Sequence, residues 1–335
     1  MIVHGYAAAE SGGKFEPFEY EPQPLKPNEI GVQVICSGLC HSDLHMLDND
    51  WGITGYPFVP GHEVIGIVRE VGEAVTHLKA GQRVGIGWQS ASCMHCESCR
   101  SGENHLCGES EGTCAGRYGG FADYVQVDSR FAIPIPDAID SKHAGPLLCG
   151  GVTVFSPLFH YGVRSTMKVG VVGIGGLGHM AVQFARAFGC EVYAFSHTPA
   201  KEAEAMSFGA THFINSRDEK AVGGVAGSLD FILSTVFAQL EWGVYLNALR
   251  PNGRMCLVAS PTENITIPPM SLLLGQRSLS GSIIGSPQML YRMLDFAARH
   301  NVVPQIELMP MSQINEAFEK LRLNEARYRI VLSNE

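Results

Sequence analysis

The sequence is poor in charged residues and has no long apolar stretch. Of its 335 residues 17% are charged, the net charge is −9, and lysine and arginine form no tract. Proteins that bind nucleic acid cluster positive charge against phosphates, so this composition argues against such a partner. No apolar run approaches the ~20 residues that a membrane-spanning helix needs. We therefore expect neither a nucleic acid nor a membrane as a partner.

The N-terminus lacks the charged start and apolar core of a secretory signal peptide. Ten cysteines without such a leader indicate a reducing compartment, so we expect a cytoplasmic protein in which some cysteines bind metal. Apolar residues make up 45% of the chain, which is ordinary for a globular protein. The length suffices for two domains with two hydrophobic cores.

Four cysteines follow the spacing Cys-x2-Cys-x2-Cys-x7-Cys. They are Cys93, Cys96, Cys99 and Cys107. Four thiolates at this spacing can close one tetrahedral shell around Zn²⁺, which favours soft sulfur ligands. Disulfides would need an oxidising compartment, and buried cysteines rarely cluster in this way by coincidence. The pattern predicts a structural zinc site, which has no open position and holds a loop without doing chemistry.

The pattern of predicted secondary structure changes near residue 150. Before this point, short β-rich stretches separated by glycine and proline turns predict a small barrel-like β domain, with strands at 30–38, 64–71, 83–88 and 121–127. After it, strands at 168–173, 190–195, 229–233 and 254–259 alternate with helices that begin near 177, 199 and 240. Such alternation predicts a parallel, doubly wound α/β domain. The tail adds helices at 287–300 and 312–323 and a strand at 328–332.

A glycine-rich loop links the first strand of the second part to the first helix. Its residues are Gly173, Ile174, Gly175, Gly176, Leu177 and Gly178. In this setting Gly173 permits a tight turn, Gly175 lets the backbone approach a pyrophosphate, and Gly178 allows close packing of helix and sheet. The first helical N–H groups then face the phosphates. The loop predicts a dinucleotide site, and the alternative is a glycine turn without a ligand.

The end of the next strand bears on the choice of cofactor. A site for NAD usually places Asp or Glu there, to accept hydrogen bonds from the adenosine ribose. This chain instead has Ser196, His197, Thr198 and, slightly later, Lys201. These residues could bind the 2′-phosphate that a carboxylate would repel, so we expect NADP(H). Glu202 and Glu204 lie further on and are expected to face solvent.

Three further residues suggest a second metal site. Cys40 lies in Gly-Leu-Cys-His-Ser-Asp-Leu-His, His62 in Pro-Gly-His-Glu, and Cys149 in Pro-Leu-Leu-Cys-Gly-Gly. Two thiolates and one imidazole can bind zinc and leave a fourth position open, which is the ligand set of alcohol dehydrogenase. Spacing alone does not join Cys149 to the other two residues, because a lone buried cysteine more often serves packing.

Together these motifs resemble the zinc-dependent medium-chain alcohol dehydrogenases. The resemblance is greatest to the branch that holds cinnamyl alcohol dehydrogenases and bacterial NADPH-dependent aldehyde reductases. It covers essentially the whole chain, including Ala-Gly-Pro-Leu-Leu-Cys-Gly-Gly from Ala144 and Ala-Arg-Tyr-Arg-Ile-Val-Leu from Ala326. It implies an α/β protein with a GroES-like β-rich catalytic domain at 1–149, completed by 287–335. A Rossmann cofactor domain with a doubly wound parallel sheet would occupy 150–286, with the active site in the cleft.

The resemblance also implies roles for the candidate ligands. Cys40, His62 and Cys149 match the catalytic zinc ligands, and Glu63 matches an acid that lies behind the metal and sometimes replaces water as a ligand. The four cysteines of the loop match the structural site, so two zinc ions are expected per chain. The remaining cysteines match no ligand position and are interpreted as packing residues: Cys36, Cys114, Cys190 and Cys256.

Further roles follow from the same resemblance. Ser42 matches the hydroxyl that contacts the substrate oxygen, and His45 and Asp50 match relay positions that deliver a proton. His41 is expected near the cofactor pyrophosphate, Thr153 matches a position that touches the cofactor, and Arg327 or Arg329 could reach its phosphates. Trp51 and Trp88 are candidates for the wall of the substrate pocket. From the residues alone, Asp50 could equally be an exposed loop residue, His41 a solvated side chain, and either tryptophan part of the core.

We therefore expect a zinc-dependent oxidoreductase that interconverts aldehydes and primary alcohols by hydride transfer with NADP(H), as a broad-range aldehyde reductase. One alternative is an NAD-linked polyol or secondary-alcohol dehydrogenase, which an acid at Ser196 would have supported. The zinc-free quinone reductases lack these ligands. An alternative of another class is a non-catalytic, zinc-stabilised binding protein. By analogy with the family, which commonly pairs through the cofactor domain, we expect a homodimer.

Overall fold

The chain forms two units, and the first is assembled from three separate stretches. The computed structural model describes residues 1–261 and 263–334. Unit 1 comprises Met1–Val152, Gly285–Arg299 and Val303–Glu335, and unit 2 comprises Thr153–Ile284 and His300–Val302. The sequence predicts domain boundaries at 149/150 and 286/287.

The strands of both units are short, and most have six residues or fewer. In chain order they are β1 (Val3–Ala8), β2 (Phe15–Tyr20), β3 (Glu29–Leu39), β4 (Val64–Val71), β5 (Arg83–Ile86), β6 (Gln89–Ala91), β7 (Glu111–Gly112), β8 (Tyr124–Asp128), β9 (Ala132–Pro134), β10 (Lys168–Val172), β11 (Glu191–Ser196), β12 (His212–Asn215), β13 (Leu229–Ser234), β14 (Leu249–Leu257), β15 (Ser278–Gly281), β16 (Ile306–Pro310) and β17 (Arg329–Ser333).

The helices are also short, and the longest has fourteen residues. They are α1 (His41–Asp48), α2 (Glu97–Arg100), α3 (Ser141–Pro146), α4 (Val152–His160), α5 (Gly178–Ala187), α6 (Glu202–Ser207), α7 (Glu219–Gly223), α8 (Trp242–Ala248), α9 (Pro269–Leu273), α10 (Pro287–His300) and α11 (Ile314–Arg322). A π-helical turn, Leu147–Gly151, joins α3 to α4. Within the described ranges, no helix has the length and apolarity needed to cross a lipid bilayer.

A mainly antiparallel sheet forms the centre of unit 1. Its strand order is β16-β17-β3-β4-β5-β9, and β8 also pairs with β3. Because β3 pairs with three strands, nearly all of its residues are buried. Cys40 follows β3 directly, so the first candidate ligand lies at the end of a largely buried strand.

The predicted strands of unit 1 occur close to the expected residues. β4 has the predicted bounds, and β3 extends the predicted 30–38 by one residue at each end. The strand predicted at 83–88 ends at Ile86, and the one predicted at 121–127 begins only at Tyr124. This strand begins later because Phe121 and Ala122 pair with β1 instead. The two segments lie very close there, since a Cβ on Gly5 of β1 would be 2.8 Å from Ala122 Cβ.

Unit 2 contains a six-stranded sheet in which every neighbouring pair of strands is parallel. The strand order is β12-β11-β10-β13-β14-β15. The direction of winding changes between β10 and β13, and ligands of doubly wound sheets bind beyond the carboxyl ends of the strands at this point. The predicted α/β fold class, with a β-rich unit and a doubly wound parallel sheet, is confirmed.

The helix predicted after the glycine loop is α5, whose inner face buries Met180, Ala181 and Phe184. The helix predicted from 240 begins at Trp242. The strand predicted from Arg254 begins earlier, at Leu249, because Leu249 pairs with Leu229 before an irregularity in the register. The edge strands β12 and β15 have only four residues each, and they were not predicted.

The apolar face of α1 anchors this helix in the core of unit 1. Leu44, Met46 and Leu47 are buried in a cluster that also contains Phe121 and Phe318. Full burial of a large apolar side chain contributes roughly 1.5–3 kcal/mol. The opposite side of α1 is therefore held in a defined position, and it carries several of the candidate site residues.

Candidate functional site

Helix α1 begins at a tightly fixed turn. The backbone N–H of Cys40 donates to Asp43 Oδ2 at 3.0 Å, so an acid in the first turn caps the helix start. Such an acid also interacts favourably with the positive end of the helix dipole. His41, Ser42 and His45 follow on the same helix.

The other end of α1 is held by side chains from several segments. Thr54 Oγ1 donates to the carbonyl of Met46 at 2.7 Å. The guanidinium of Arg322 donates two parallel hydrogen bonds, each of 2.8 Å, to the carboxylate of Asp48. Paired contacts of this kind fix orientation as well as distance. Both ends of the helix that carries the candidate residues are therefore restrained.

Four buried residues meet at the start of α1. Cys40 precedes the helix, His62 and Glu63 precede β4, and Cys149 lies in the π-helical turn. One ligand atom from each lies within 4.8 Å of the others. The structure thus brings Cys149 to Cys40 and His62, which spacing alone could not do.

The distances in this cluster fit a tetrahedral metal site. Cys40 Sγ lies 3.8 Å from Cys149 Sγ, and His62 Nε2 lies 3.4 Å from Cys149 Sγ. Around Zn²⁺ with Zn–S bonds of about 2.3 Å and Zn–N bonds of about 2.0 Å, tetrahedral geometry separates two sulfurs by about 3.8 Å and sulfur from nitrogen by about 3.5 Å. The three groups could therefore bind one zinc ion without rearrangement.

Asp43 is a site residue that the sequence analysis missed. Its carboxylate is buried and accepts from His62 Nδ1 at 3.0 Å and from the N–H of Gly61 at 2.9 Å, in addition to the N–H of Cys40. The bond to Nδ1 directs a proton to that nitrogen and leaves Nε2 available to a metal. The available signal was an acid three residues after Cys40, in the first turn of a helix.

The protonation of the cluster favours a cation. The hydrogen bond from Cys149 lowers the pKa of the Cys40 thiol well below its usual value, although burial opposes this. The same bond and burial raise the pKa of Cys149. Burial also opposes the charged form of His62, but Asp43 and Cys149 outweigh it and raise the pKa of the imidazole. A metal cation bound to Cys149 Sγ and His62 Nε2 would replace the protons that these two groups retain.

Glu63 lies on the inner side of the cluster, where its carboxylate is paired with the guanidinium of Arg329. Burial raises the pKa of Glu63 to about 7, with Arg329 acting in the opposite direction. Among the described residues, Glu63 Oε2 has no hydrogen-bond partner. A Cβ on Gly38 would come within 1.9 Å of this oxygen, so only glycine leaves room for it. Arg329, one of two arginines considered for the cofactor phosphates, is thus engaged by Glu63.

The relay candidates form two separate hydrogen bonds. Cys40 Sγ donates to Ser42 Oγ at 3.8 Å, which brings the hydroxyl beside the cluster. His45 Nδ1 lies 2.7 Å from Asp50 Oδ2, and the side chain of Asp50 is 51% exposed. The pair therefore reaches from α1 to solvent.

The two tryptophans stand in a row of aromatic rings. The ring of Trp88 lies 5.0 Å from His62 and 5.8 Å from Trp51, and Trp51 lies 5.5 Å from His45. Trp51 is exposed and Trp88 is half-buried, so neither belongs to the interior of the core. Cys114 is buried on the side of Asp43 and His62, and the other cysteines interpreted as packing residues are buried as well: Cys36, Cys190 and Cys256.

The four cysteines of the loop also converge. The sulfurs of Cys93, Cys96, Cys99 and Cys107 all lie within 4.8 Å of one another. Cys93 Sγ and Cys99 Sγ are 3.9 Å apart, which fits a shared zinc ion. Backbone N–H groups donate to three of the sulfurs, for example from Cys96 to Cys93 at 3.3 Å. A closed set of four sulfur ligands can bind one metal and leaves no position for a substrate.

In unit 2, the glycine loop has the geometry that its sequence predicts. Gly173 has a φ of +90°, which is in the left-handed region that favours glycine. A Cβ on Gly178 would lie 1.7 Å from the carbonyl oxygen of Gly173, so the start of α5 can approach the turn only without a side chain. Gly175, Gly176 and Leu177 lie between them and are partly exposed.

The residues expected at the 2′-phosphate lie at the end of β11 and just after it. Ser196 is buried and its Oγ accepts from the N–H of Thr198 at 3.2 Å, whereas His197 is exposed. Lys201 Nζ donates to the carbonyl of Ile174 in the glycine loop at 2.8 Å. Burial lowers the pKa of Lys201. The structure therefore joins Lys201 to the loop.

Other cofactor candidates are found at more scattered positions. Glu202 is exposed as expected, but Glu204 is partly buried, and its carboxylate acts electrostatically on Lys201. Thr153 is buried on α4 of unit 2, and His41 is partly buried on α1 of unit 1, where burial lowers its pKa.

Unit 1 offers a three-ligand metal cluster and a closed four-cysteine cluster, and unit 2 offers a dinucleotide loop, which together define a metal-dependent dehydrogenase. Family models match residues 26–137 as an alcohol dehydrogenase GroES-like domain and residues 176–299 as a zinc-binding dehydrogenase. The chain belongs to the zinc-dependent medium-chain alcohol dehydrogenase family, which confirms the resemblance. It is therefore an oxidoreductase.

Individual relatives match nearly end to end. An aldehyde reductase, AdhA, from Synechocystis is 46% identical over 333 residues, which are 99% of both chains. A cinnamyl alcohol dehydrogenase structure from Sorghum bicolor superposes with a TM-score of 0.95 at 38% identity, covering 99% of this chain and 98% of that one. The cinnamyl alcohol dehydrogenase of Helicobacter pylori, solved with NADP(H), gives 0.92 at 32% identity over 99% and 98%. These relatives do not favour the polyol dehydrogenase or a non-catalytic protein.

We predict that Asp43→Asn weakens zinc binding at the Cys40 cluster by about 10- to 100-fold, because the amide no longer fixes the His62 tautomer with the same strength. Chelator competition with the purified protein measures the affinity. The four-cysteine cluster serves as an internal control, because its metal should be retained if the variant is folded. Asp50→Asn is a matched control with unchanged zinc affinity. Wild-type affinity in Asp43→Asn would contradict this role.

Proposed function

We propose that this chain is an NADPH-dependent reductase of small aldehydes, which also runs in the direction of primary alcohol oxidation. The observation that carries the proposal is the buried set of two thiols and one imidazole, which provides three zinc ligands and leaves a fourth position for a substrate oxygen. The domain roles follow from it: unit 1 holds the catalytic residues, and unit 2 binds the cofactor.

We propose two zinc ions per chain. Cys40, His62 and Cys149 would hold the catalytic ion with Glu63 behind it, and the four-cysteine cluster would hold the structural one. When bound, the catalytic zinc supplies Lewis-acid polarisation of a carbonyl oxygen and NADPH supplies a hydride. The other contributions come from this chain's own side chains.

Ser42 and the pair of His45 with Asp50 would handle the proton. Ser42 Oγ lies beside Cys40 Sγ, from where the hydroxyl can donate to the substrate oxygen as it gains negative charge. His45 is held by Asp50 in one orientation, and the exposed carboxylate connects it to solvent. The imidazole can therefore resupply the proton that the hydroxyl gives up.

The choice of NADPH rests on the end of β11. Ser196, Thr198 and Lys201 carry two hydroxyls and one cation and no carboxylate, so they suit a 2′-phosphate. His197 is exposed beside them and can add a further hydrogen bond. His41 and Thr153 would contact other parts of the nucleotide. The Helicobacter pylori relative, solved with NADP(H), supports this choice.

Aromatic aldehydes are the substrates that the ring row favours. Trp88 lies between His62 and Trp51, so a flat substrate near the metal ligands would meet two indole rings. Offset and edge-on ring contacts contribute about 0.5–1.5 kcal/mol beyond burial. Mannitol, a polyol, would gain no such contacts.

The proposal predicts that zinc-loaded enzyme reduces benzaldehyde with NADPH at a kcat/KM well above that with NADH, and that mannitol oxidation with NAD⁺ is slower than either. Lys201→Ala should raise the KM for NADPH about tenfold, because one charge-assisted hydrogen bond is lost, and leave that for NADH nearly unchanged. Lys168→Ala is the control, because Lys168 lies at the start of β10, at the opposite end of this strand from the glycine loop. A wild-type preference for NADH would overturn the cofactor choice, and faster mannitol oxidation would overturn the substrate class.

The two cysteine clusters predict different losses. Cys40→Ala should lose one zinc ion and lower kcat/KM at least about a thousandfold, while its melting temperature stays close to wild type. Cys99→Ala should also lose one zinc ion, but with a lower melting temperature and lower solubility. Metal analysis, calorimetry and turnover on the same preparations compare them. Full activity in Cys40→Ala, or normal stability in Cys99→Ala, would contradict the assigned role.

We also propose a homodimer that forms through unit 2. β15 is an edge strand of the six-stranded sheet, and next to it in sequence Leu273 and Leu274 are 68% and 79% exposed. Exposed apolar groups beside an open sheet edge indicate a partner surface, and the occupant that suits a self-complementary edge is a second copy. Leu274→Glu should reduce the mass measured by light scattering from dimer to monomer, whereas Leu323→Glu in unit 1 should not. A monomeric wild type would overturn this proposal.

A further inference from the structure

We propose that Thr235 is a positioning residue for the cofactor, because its hydroxyl holds the turn of the glycine loop in the shape that receives a pyrophosphate. The inference deepens the proposed NADP(H)-binding function and rests on it. Thr235 follows β13 directly, at the point where the winding of the parallel sheet changes direction. Its side chain is distinct from the glycines of the loop and from the residues expected at the 2′-phosphate.

The hydroxyl of Thr235 bridges the last residue of β10 and the first glycine of the loop. Thr235 Oγ1 lies 3.0 Å from the carbonyl oxygen of Val172 and 2.9 Å from that of Gly173, and its single hydrogen is shared between these two acceptors. The backbone N–H of Thr235 also donates to Val172 O at 3.0 Å. Thr235 is only 8% exposed, so its hydrogen bonds are protected from competing water.

The turn at this point has little freedom to move. The carbonyl oxygen of Gly173 would lie 1.7 Å from a Cβ on Gly178, and Thr235 Oγ1 would lie 3.3 Å from the same Cβ. The oxygen, the start of α5 and the hydroxyl therefore pack against one another. Because the N–H groups of the loop and first helical turn receive the phosphates, a shift of the Gly173 carbonyl would move those donors.

The hydroxyl of Thr235 can donate a hydrogen bond to the loop, whereas an apolar side chain of the same shape cannot. Valine would fill the space of Thr235 but leave the Gly173 carbonyl without this donor, so nothing would hold that carbonyl in its present orientation. Serine keeps the donor and loses only a methyl group. Ser234, one residue earlier, offers a matched control, because its buried hydroxyl has no hydrogen-bond partner within the described part of the chain.

The test is a titration of NADPH binding by fluorescence, with wild type, Thr235→Val, Thr235→Ser and Ser234→Ala. We expect the Kd of Thr235→Val to rise about tenfold, the loss of one buried hydrogen bond. Thr235→Ser should bind within about twofold of wild type, and so should Ser234→Ala. The same variants are titrated with adenosine 2′-phosphate, which lacks a pyrophosphate. Its Kd should stay unchanged in Thr235→Val.

Each other outcome overturns the inference in a recognisable way. Equal NADPH affinity in wild type and Thr235→Val would remove the positioning role and leave the proposed function intact. Equal losses for NADPH and adenosine 2′-phosphate, or no recovery in Thr235→Ser, would indicate a general structural role. If wild type binds neither NADPH nor NADH, the proposed function fails together with the inference. Thermal unfolding of each variant identifies a loss that comes from misfolding.

Discussion

The buried carboxylate of Asp43 accepts hydrogen bonds from three groups, and the geometry of the candidate metal centre depends on them. One bond fixes the backbone of Cys40, one fixes Gly61, and one fixes the imidazole of His62. The candidate ligands Cys40 and His62, which are 22 residues apart in sequence, are thereby held by the same carboxylate. A buried carboxylate is costly unless its oxygens are satisfied, so this arrangement tolerates few alternatives.

Helix α1 brings further candidate site residues to this metal cluster. It places Ser42 beside Cys40 and carries His45 to a carboxylate that reaches solvent, and its apolar face is anchored in the core. Its far end is held by Arg322 from α11, near the end of the chain. The C-terminal segment therefore completes unit 1 in a physical sense, since it also supplies Arg329 to balance Glu63. Residues that are remote in sequence restrain one short helix.

Much of this arrangement could be predicted from the sequence, and the remainder could not for identifiable reasons. The four cysteines of the loop and the glycine loop are local patterns, and their geometry follows from short spacing. Cys149 joins Cys40 only because a π-helical turn and β3 meet in space, so its role needed the family resemblance. Asp43 and Thr235 were missed because an acid in a helical turn and a threonine after a strand have ordinary local roles. Their partners become visible only in the fold.

The two cysteine-containing clusters differ in the groups that contact their sulfur atoms. This difference distinguishes a structural metal site from a catalytic one. In the four-cysteine loop, backbone N–H groups donate to sulfurs, so the local turns already define the four ligand positions. Such a site is complete once metal binds. At the other cluster the sulfurs of Cys40 and Cys149 contact each other and side chains, namely Ser42 and His62. Its ligands number three, so the remaining coordination position and the nearby hydroxyl are available to a substrate oxygen.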